Sequence, residues 1–236
     1  MDENTPRLGI VHLFAWTAAS AVWMALERLF YSALGNQSPS TVLTVSSSLA
    51  APVQGAGLMG FLLFVYRRLR GRPCAREPGD WLLVAYGAAI LMTLIEHLLI
   101  MSIIQQPRPL QRQMVLMAVS RLSFSITQIA LYAVAARRIG KSPLWRGVLW
   151  LLCWLQVARM VMEFVLPLVV FQPRTLLFLR FFPDAAAGVV VSLSAIADGR
   201  RRHLRSWTHW TGVAVVVVDG VLALSGIAWW LVTKLP

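Results

Sequence analysis

The sequence predicts an all-α, polytopic integral membrane protein: a bundle of seven transmembrane helices, with a cytoplasmic N-terminus and an external C-terminus. Of its 236 residues, 58% are hydrophobic and only 14% are charged, whereas a soluble domain carries about 25% charged residues. The apolar residues also gather in long runs separated by short polar connections. This composition excludes a disordered chain and disfavours a soluble globular domain.

Each apolar run approaches or exceeds the ~20 residues that a helix needs to cross a bilayer. The predicted spans are residues 8–34, 49–66, 81–104, 113–136, 144–171, 175–197 and 208–233. None shows the alternation of a membrane-barrel strand. We interpret residues 1–236 as one transmembrane domain, with six or eight spans as the alternatives if the first or the sixth run is misassigned.

The charges of the connections predict the orientation. Three connections together hold thirteen Lys and Arg residues: 67–80, 137–146 and 199–206. The connections between them hold only three arginines. Cytoplasmic loops collect basic residues, so the first set is predicted to be cytoplasmic in a cell (inner or plasma) membrane. The net charge of +12 is therefore mainly an orientation signal, and we expect no nucleic-acid partner.

Polar residues inside the predicted spans are the most informative feature for function. A charge near the bilayer centre costs at least about 2.5–3.5 kcal/mol on insertion scales, so such residues usually face protein or water. Most of them are predicted to lie in the outer half of the membrane. The charged members are Glu27, Arg28, Glu96, Arg121, Arg159, Glu163, Arg180, Asp184 and Asp219, and His97, Gln54, Gln128 and Gln156 accompany them.

Helical spacing places several of these residues on shared faces. Arg159 and Glu163 are four residues apart, as are Arg180 and Asp184, and neighbours at this spacing form intrahelical ion pairs. Ser125, Gln128 and Tyr132 continue a polar stripe that begins at Arg121.

Prolines and small residues add two structural expectations. Pro52, Pro167 and Pro183 fall in the same outer half, and Pro183 makes the sixth span the best candidate for a kinked or broken helix. Gly55 and Gly57 in the second span are expected to permit close helix contact.

The leading hypothesis is an outward-half polar cavity that binds an anionic small molecule or a lipid headgroup for transport or conduction. Its expected ligand-binding residues are Arg121, Arg159, Glu163, Arg180, Asp184, Gln54, Gln128 and Asp219. The alternative is a structural role, in which the same residues form ion pairs that let the helices insert into the membrane.

Two other classes of function stay open. In an intramembrane enzyme acting on a lipid-linked or exported substrate, Glu96, His97 and Glu27 would be the acid–base residues. In a non-catalytic subunit or assembly factor, the polar cluster would only specify packing. The histidines are dispersed and no cofactor motif is present, so we expect no metal and no cofactor. Membrane lipids are the expected partners, and the sequence leaves a homo-oligomer open.

Overall fold

The computed structural model describes residues 10–33, 41–71, 77–104, 110–139, 142–164, 173–200 and 205–234. These residues form seven α-helices, which confirms the predicted all-α class. The helices are α1 (Ile10–Ala33), α2 (Thr41–Leu69), α3 (Pro78–Ile104), α4 (Leu110–Arg138), α5 (Pro143–Phe164), α6 (Pro173–Arg200) and α7 (Trp207–Lys234).

Two helix boundaries differ from the predicted spans by more than three residues. Helix α2 begins at Thr41 rather than at residue 49, because its first turns are rich in Ser and Thr, which lower hydropathy without stopping a helix. Helix α5 ends at Phe164, and the remainder of the fifth predicted span, residues 165–171, lies outside the described residues.

Within the described part of the chain, six helices hold a stretch long and apolar enough to cross a membrane. These stretches are Ser48–Leu69, Pro78–Ser102, Ala118–Arg138, Pro143–Phe164, Phe181–Arg200 and Trp207–Ala228. Helix α1 is not among them. A seven-span count and the sides of the two termini therefore stay predictions.

Five of the helices form a ring. Each helix packs against the next one in the chain, and α7 returns to pack against α3. The five-helix ring, as we call it, thus consists of α3, α4, α5, α6 and α7. Helix α2 packs against both α3 and α7, and α1 packs on α2 with a smaller contact to α3.

A buried apolar cluster fills the ring toward the ends that carry the Arg-rich connections. Leu82, Trp145, Leu149, Leu152 and Val191 belong to it, and each is at most 2% exposed. This placement agrees with the sequence, in which the half of each span nearest those connections is almost entirely apolar. Polar side chains consequently lie farther from the Arg-rich ends of the helices.

Glycines set the closest helix contacts. Helices α6 and α7 meet at Gly188 and Gly220, where a Cβ atom on Gly188 would lie 2.7 Å from the Cα of Gly220. A Cβ on Gly57 of α2 would lie 2.5 Å from Cδ1 of Tyr86 on α3, and one on Gly55 would lie 2.7 Å from a backbone nitrogen of α1. The predicted close contacts at Gly55 and Gly57 are therefore confirmed.

Prolines do not interrupt the helices that contain them. Pro52 lies inside α2 and Pro183 inside α6, and both helices continue past them. The break suggested for the sixth span is therefore absent: a single proline removes one backbone hydrogen bond, and packing against neighbouring helices sustains the rest. The carbonyl of Pro52 also accepts a hydrogen bond from Trp16 Nε1 at 2.6 Å. Pro167 lies outside the described residues.

The glycine contact between α6 and α7 can be tested by adding one methyl group. We expect Gly188→Ala to lower stability by about 1–3 kcal/mol, because the helices must separate to admit the Cβ. Gly199→Ala on the same helix is the control, since no atom lies within 4 Å of the added Cβ, and it should gain up to about 1 kcal/mol from helix propensity. Thermal unfolding in detergent measures both, and equal shifts would contradict the assigned contact.

Candidate functional site

Six polar side chains converge inside the five-helix ring. We call this set the central polar core; it comprises Tyr86, Tyr132, Arg159, Glu163, Asp184 and Asp219. Every helix of the ring contributes at least one member. The core therefore depends on the tertiary arrangement of the whole ring and not on a single helix face.

Arg159 is the only base among these six residues, and it forms two ion pairs. Its Nε donates to Oε1 of Glu163 at 3.2 Å along α5, and its Nη1 donates to Oδ1 of Asp184 on α6 at 3.0 Å. The guanidinium also lies 5.9 Å from the ring centroid of Phe124 on α4. The three charged side chains are only 15–23% exposed, so the pairs operate in a largely desolvated environment.

The intrahelical pair of Arg159 and Glu163 that spacing predicts is present. Asp184 on α6 forms an ion pair across helices, with Arg159 on α5. The sequence suggested Arg180 as the partner of Asp184. The side chain of Arg180 lies outside the described residues, so that pair stays a prediction. Because Asp184 reaches across to Arg159, it connects α5 to α6 by charge as well as by packing.

Asp219 on α7 is the third acidic residue of the core. Its Oδ1 accepts a hydrogen bond from the Tyr86 hydroxyl on α3 at 3.2 Å. Asp219 lies within electrostatic range of Asp184 and Arg159, and Tyr132 on α4 lies within range of all three. The core therefore brings together four of the residues expected to bind a ligand: Arg159, Glu163, Asp184 and Asp219.

Buried amides and a hydroxyl line the α4 and α5 sides of the ring. Gln128 is 5%, Ser125 1% and Gln156 8% exposed. Gln128 lies one turn from Tyr132, and Gln156 lies one turn from Arg159, so helical spacing puts them on the faces that carry the core. Gln128 Oε1, Gln156 Oε1 and Ser125 Oγ have no hydrogen-bond partner among the described residues. Buried polar atoms normally find partners in protein or water, so this region is suited to hold water or a ligand.

The central polar core carries a net negative formal charge. Three carboxylates, from Glu163, Asp184 and Asp219, face one guanidinium, so the six side chains sum to a net charge of −2 when all acids are ionised. A Gln amide presents either an oxygen or an NH2 group and favours neither sign of ligand. The carboxylates therefore determine which kind of ion this region attracts.

Glu96 and Arg121 form a separate pair outside this core. Arg121 Nε donates to Glu96 Oε1 at 3.3 Å, linking α4 to α3, and the Arg121 side chain is 46% exposed. The polar stripe of α4 thus divides: Arg121 faces outward at one end, while Ser125, Gln128 and Tyr132 are buried.

His97 and Glu27 occupy a third place, between α1 and α3. The His97 ring packs edge-on against Trp23 at a centroid distance of 6.1 Å, and its Nδ1 donates to the Thr93 carbonyl at 2.7 Å. Glu27 lies beside Trp23 and within electrostatic reach of His97. The structure therefore places His97 within electrostatic reach of Glu27, whereas Glu96 points to Arg121 on α4. Gln54 on α2, whose Oε1 has no hydrogen-bond partner among the described residues, lies outside the five-helix ring.

A fourth polar cluster, absent from the sequence predictions, joins the helix ends at the Arg-rich side. We call it the capping junction. His209 on α7 is fully buried, and its Nδ1 accepts a hydrogen bond from the Gly79 backbone N–H at the start of α3, at 2.9 Å. Ser206 caps α7, because its Oγ accepts a hydrogen bond from the His209 N–H at 3.3 Å. Ser206 also donates its own N–H and Oγ–H to Oε2 of Glu77 at 3.0 and 2.8 Å. Two helix N-termini thus satisfy each other's unpaired backbone groups.

An ion pair completes the capping junction. Arg205 donates two hydrogen bonds to Asp198, at 2.9 and 3.1 Å, which ties the end of α6 to the segment entering α7. The local signal for this junction was Glu77 followed three residues later by Asp80, with Ser206 before the apolar run of α7, a pattern typical of helix caps. That pattern predicts caps, but not that two caps meet.

Within the described ranges, no group of three or more His, Cys, Asp or Glu side chains is arranged to hold a metal ion. Comparison with protein-family models, with curated proteins and with solved structures finds no match. The chemistry of the described residues is therefore the basis for assigning a function.

The contribution of the central polar core to stability can be measured separately from that of the Arg121–Glu96 pair. We expect Arg159→Gln to destabilise the protein by about 3–5 kcal/mol, because it leaves two largely buried carboxylates without their counter-charge. Arg121→Gln breaks the exposed pair with Glu96 and should cost no more than about 1 kcal/mol. The measurement is denaturant unfolding of the purified protein in detergent.

The double variant Arg159→Gln/Asp184→Asn provides the internal control. It removes one uncompensated charge as well as the guanidinium, so part of the lost stability should return. Equal costs for Arg159→Gln and Arg121→Gln would show that the core pairs are no more buried than the surface pair, contrary to the described geometry.

Proposed function

We propose that this protein is a multi-pass transport or conduction protein whose central polar core binds a proton or a small monovalent cation. The observation that carries the proposal is the charge ratio of the core: Glu163 and Asp184 pair with the single arginine, Arg159, and a third carboxylate, Asp219, lies within its electrostatic range. Six helices long and apolar enough to span a membrane surround or flank this site.

The depth of the core supports this function. At a rise of about 1.5 Å per residue, Asp219 lies about 18 Å along α7 from Trp207, near the middle of a ~30 Å hydrocarbon layer. Intramembrane acids at this depth typically belong to proton relays or ion pathways. The buried amides of Gln128 and Gln156 extend the polar surface along the ring.

The cost of net charge in a membrane explains why a cation is expected. Each unpaired ion at the bilayer centre costs at least about 2.5–3.5 kcal/mol on insertion scales. A net charge of −2 therefore favours uptake of protons or of a small monovalent cation. The hydroxyls of Tyr86 and Tyr132 add two neutral oxygens at the core.

The anionic ligand expected from the sequence receives less support from the same geometry. Arg159 is engaged by two carboxylates, and Arg121 by one. An anion entering the core would also meet Asp219. Anion binding stays a prediction, and the transport assay below distinguishes it from cation binding.

The enzymatic hypothesis is likewise supported less than transport. Glu96 and His97 point to different helices, and the arginines expected to stabilise negative charge lie beside other carboxylates. A purely structural role for the core would favour complete internal pairing, whereas Gln128 and Gln156 keep unpartnered buried oxygens within the described structure.

We also propose seven spans, with α1 in the membrane. Its surface carries large exposed apolar side chains: Ile10 is 72%, Phe14 71% and Leu29 58% exposed. Lipid contact would cover these side chains and remove the cost of exposing them to water. With seven spans, the basic connections place the N-terminus in the cytoplasm of a cell whose plasma or inner membrane holds the protein.

Ion flux into vesicles tests the function. The protein is reconstituted into phosphatidylcholine vesicles, and movement of H+, Na+, K+ and Cl− is followed with ion-sensitive dyes under an imposed potential. We expect the wild type to move a cation or protons. Asp219→Asn should reduce that flux by about tenfold or more, equivalent to ~1.4 kcal/mol or more of lost stabilisation. Glu96→Gln, which also neutralises an intramembrane acid but lies outside the core, should change it less than about twofold.

The outcomes that oppose the proposal are specific. Chloride flux without cation flux, abolished by Arg159→Gln, would establish the anion hypothesis instead. An equal loss of ion flux in folded Asp219→Asn and Glu96→Gln would show that the core has no special role in transport. No flux of any of these ions by correctly folded, reconstituted protein would contradict the proposal.

A further inference from the structure

Asp219 is the carboxylate of the central polar core that Arg159 does not pair with directly. Glu163 and Asp184 lie 3.2 and 3.0 Å from nitrogens of the guanidinium, whereas Asp219 forms no ion pair within the described part of the chain. The hydrogen bond described for Asp219 is donated by the Tyr86 hydroxyl, at 3.2 Å. Asp219 is therefore the acid whose charge needs a further partner inside the membrane.

The titratable and charged groups that face Asp219 from the neighbouring helices are few. They are the Tyr86 hydroxyl on α3, the Tyr132 hydroxyl on α4, the Arg159 guanidinium on α5 and the Asp184 carboxylate on α6. Helix α2 also packs against α7, but its residues 41–66 carry no charged side chain. Because Arg159 is already bound by two carboxylates, a bound cation or a proton is what would neutralise Asp219.

The backbone is tightly packed beside Asp219. A Cβ atom on the next residue, Gly220, would lie 2.6 Å from the Cα of Gly188 and 3.1 Å from the carbonyl oxygen of Asp184. A metal cation exchanges its water shell for several oxygen ligands arranged around it, and the Arg159 guanidinium repels a second positive ion nearby. A proton needs one oxygen and adds no volume. Packing and charge therefore both favour a proton over a metal cation at Asp219.

The Tyr86 ring is held so that its hydroxyl stays at Asp219. A Cβ atom on Gly57 of α2 would lie 2.5 Å from Cδ1 and 3.1 Å from Cε1 of this ring, so a glycine at position 57 is what lets the ring pack against α2. A tyrosine hydroxyl both donates and accepts hydrogen bonds. It can donate to the ionised carboxylate and accept from the protonated carboxyl group, so Asp219 keeps this partner in both states.

We propose that the ion bound by the central polar core is a proton, carried by the carboxyl group of Asp219, and that Tyr86 is its positioning residue. Uptake forms one O–H bond on an Asp219 oxygen, and release breaks the same bond. The inference rests on the proposed function and narrows it, because the net charge of the core would be satisfied by a proton or by a monovalent metal cation.

Potentiometric titration of the purified full chain in detergent tests the identity of the bound ion. Wild type should take up about one proton more than Asp219→Asn as the pH falls through the range in which carboxylates titrate. The wild-type curve should be the same in NaCl, KCl and choline chloride of equal ionic strength. Choline is the reference cation because it is too large for a metal site.

The titration is made at equilibrium and requires no flux, so its outcome is separate from that of the vesicle assay. Displacement of protons by Na+ or K+ from wild type, but not from Asp219→Asn, would show that a metal cation binds at Asp219. The proton inference would then be wrong while cation transport would stand. Identical curves for wild type and Asp219→Asn would also overturn the inference. The expected curves from a protein that moves no ions would support the proton site and contradict transport alone.

Infrared spectroscopy of two matched variants tests the role of Tyr86. The carbonyl band of protonated Asp219 is the one absent from Asp219→Asn, and Tyr86→Phe should shift it to higher wavenumber because a hydrogen bond is lost. Tyr132→Phe removes the other hydroxyl of the core, which forms no hydrogen bond to Asp219 in the described structure, and should leave the band in place. Thermal unfolding establishes that each variant is folded. Equal shifts in both variants, or no shift in either, would overturn the assignment of Tyr86.

Discussion

The double ion pair of Arg159 is the interaction on which the interior of this protein depends. One guanidinium, at distances near 3 Å, compensates Glu163 on its own helix and Asp184 on the next. Without it, three carboxylates would meet in a region of low dielectric, where like charges cannot all remain ionised. With it, the ring keeps an ion pair between α5 and α6, and the excess of acid is the basis of the proposed cation site.

Close backbone approaches bring the rest of the core to Arg159. Gly188 and Gly220 let α6 and α7 meet, which puts Asp219 within electrostatic range of Asp184. Gly79 and Gly212 do the same for α3 and α7, since a Cβ on Gly212 would lie 2.7 Å from the carbonyl carbon of Gly79. Along the bundle, the capping junction fixes the helix ends, the apolar cluster separates it from the core, and the core follows at mid-depth.

Local sequence signals predicted the features that depend on one helix. The all-α class, the presence of long apolar helices, the small contact residues Gly55 and Gly57, and the Arg159–Glu163 pair follow from hydropathy and spacing. Pairings between helices did not follow: Asp184 with Arg159, Asp219 with Tyr86, and His209 with Gly79 join residues far apart in sequence. Helical periodicity gives the face of a residue but not the neighbouring helix. The anionic ligand is expected from deep arginines, carboxylates and prolines at one depth and stays a prediction, whereas the carboxylates that Arg121 and Arg159 meet are visible only in tertiary contacts.

The central claim is that Asp184 and Asp219 share the core with a proton or a small cation. Infrared difference spectroscopy on the reconstituted protein measures this directly, because a protonated carboxyl group has a carbonyl band that an ionised carboxylate lacks. We expect carboxyl absorption to change when pH or the concentration of the transported cation is changed, and this change should be lost in Asp219→Asn. An identical difference spectrum for wild type and Asp219→Asn under every one of these conditions would contradict it.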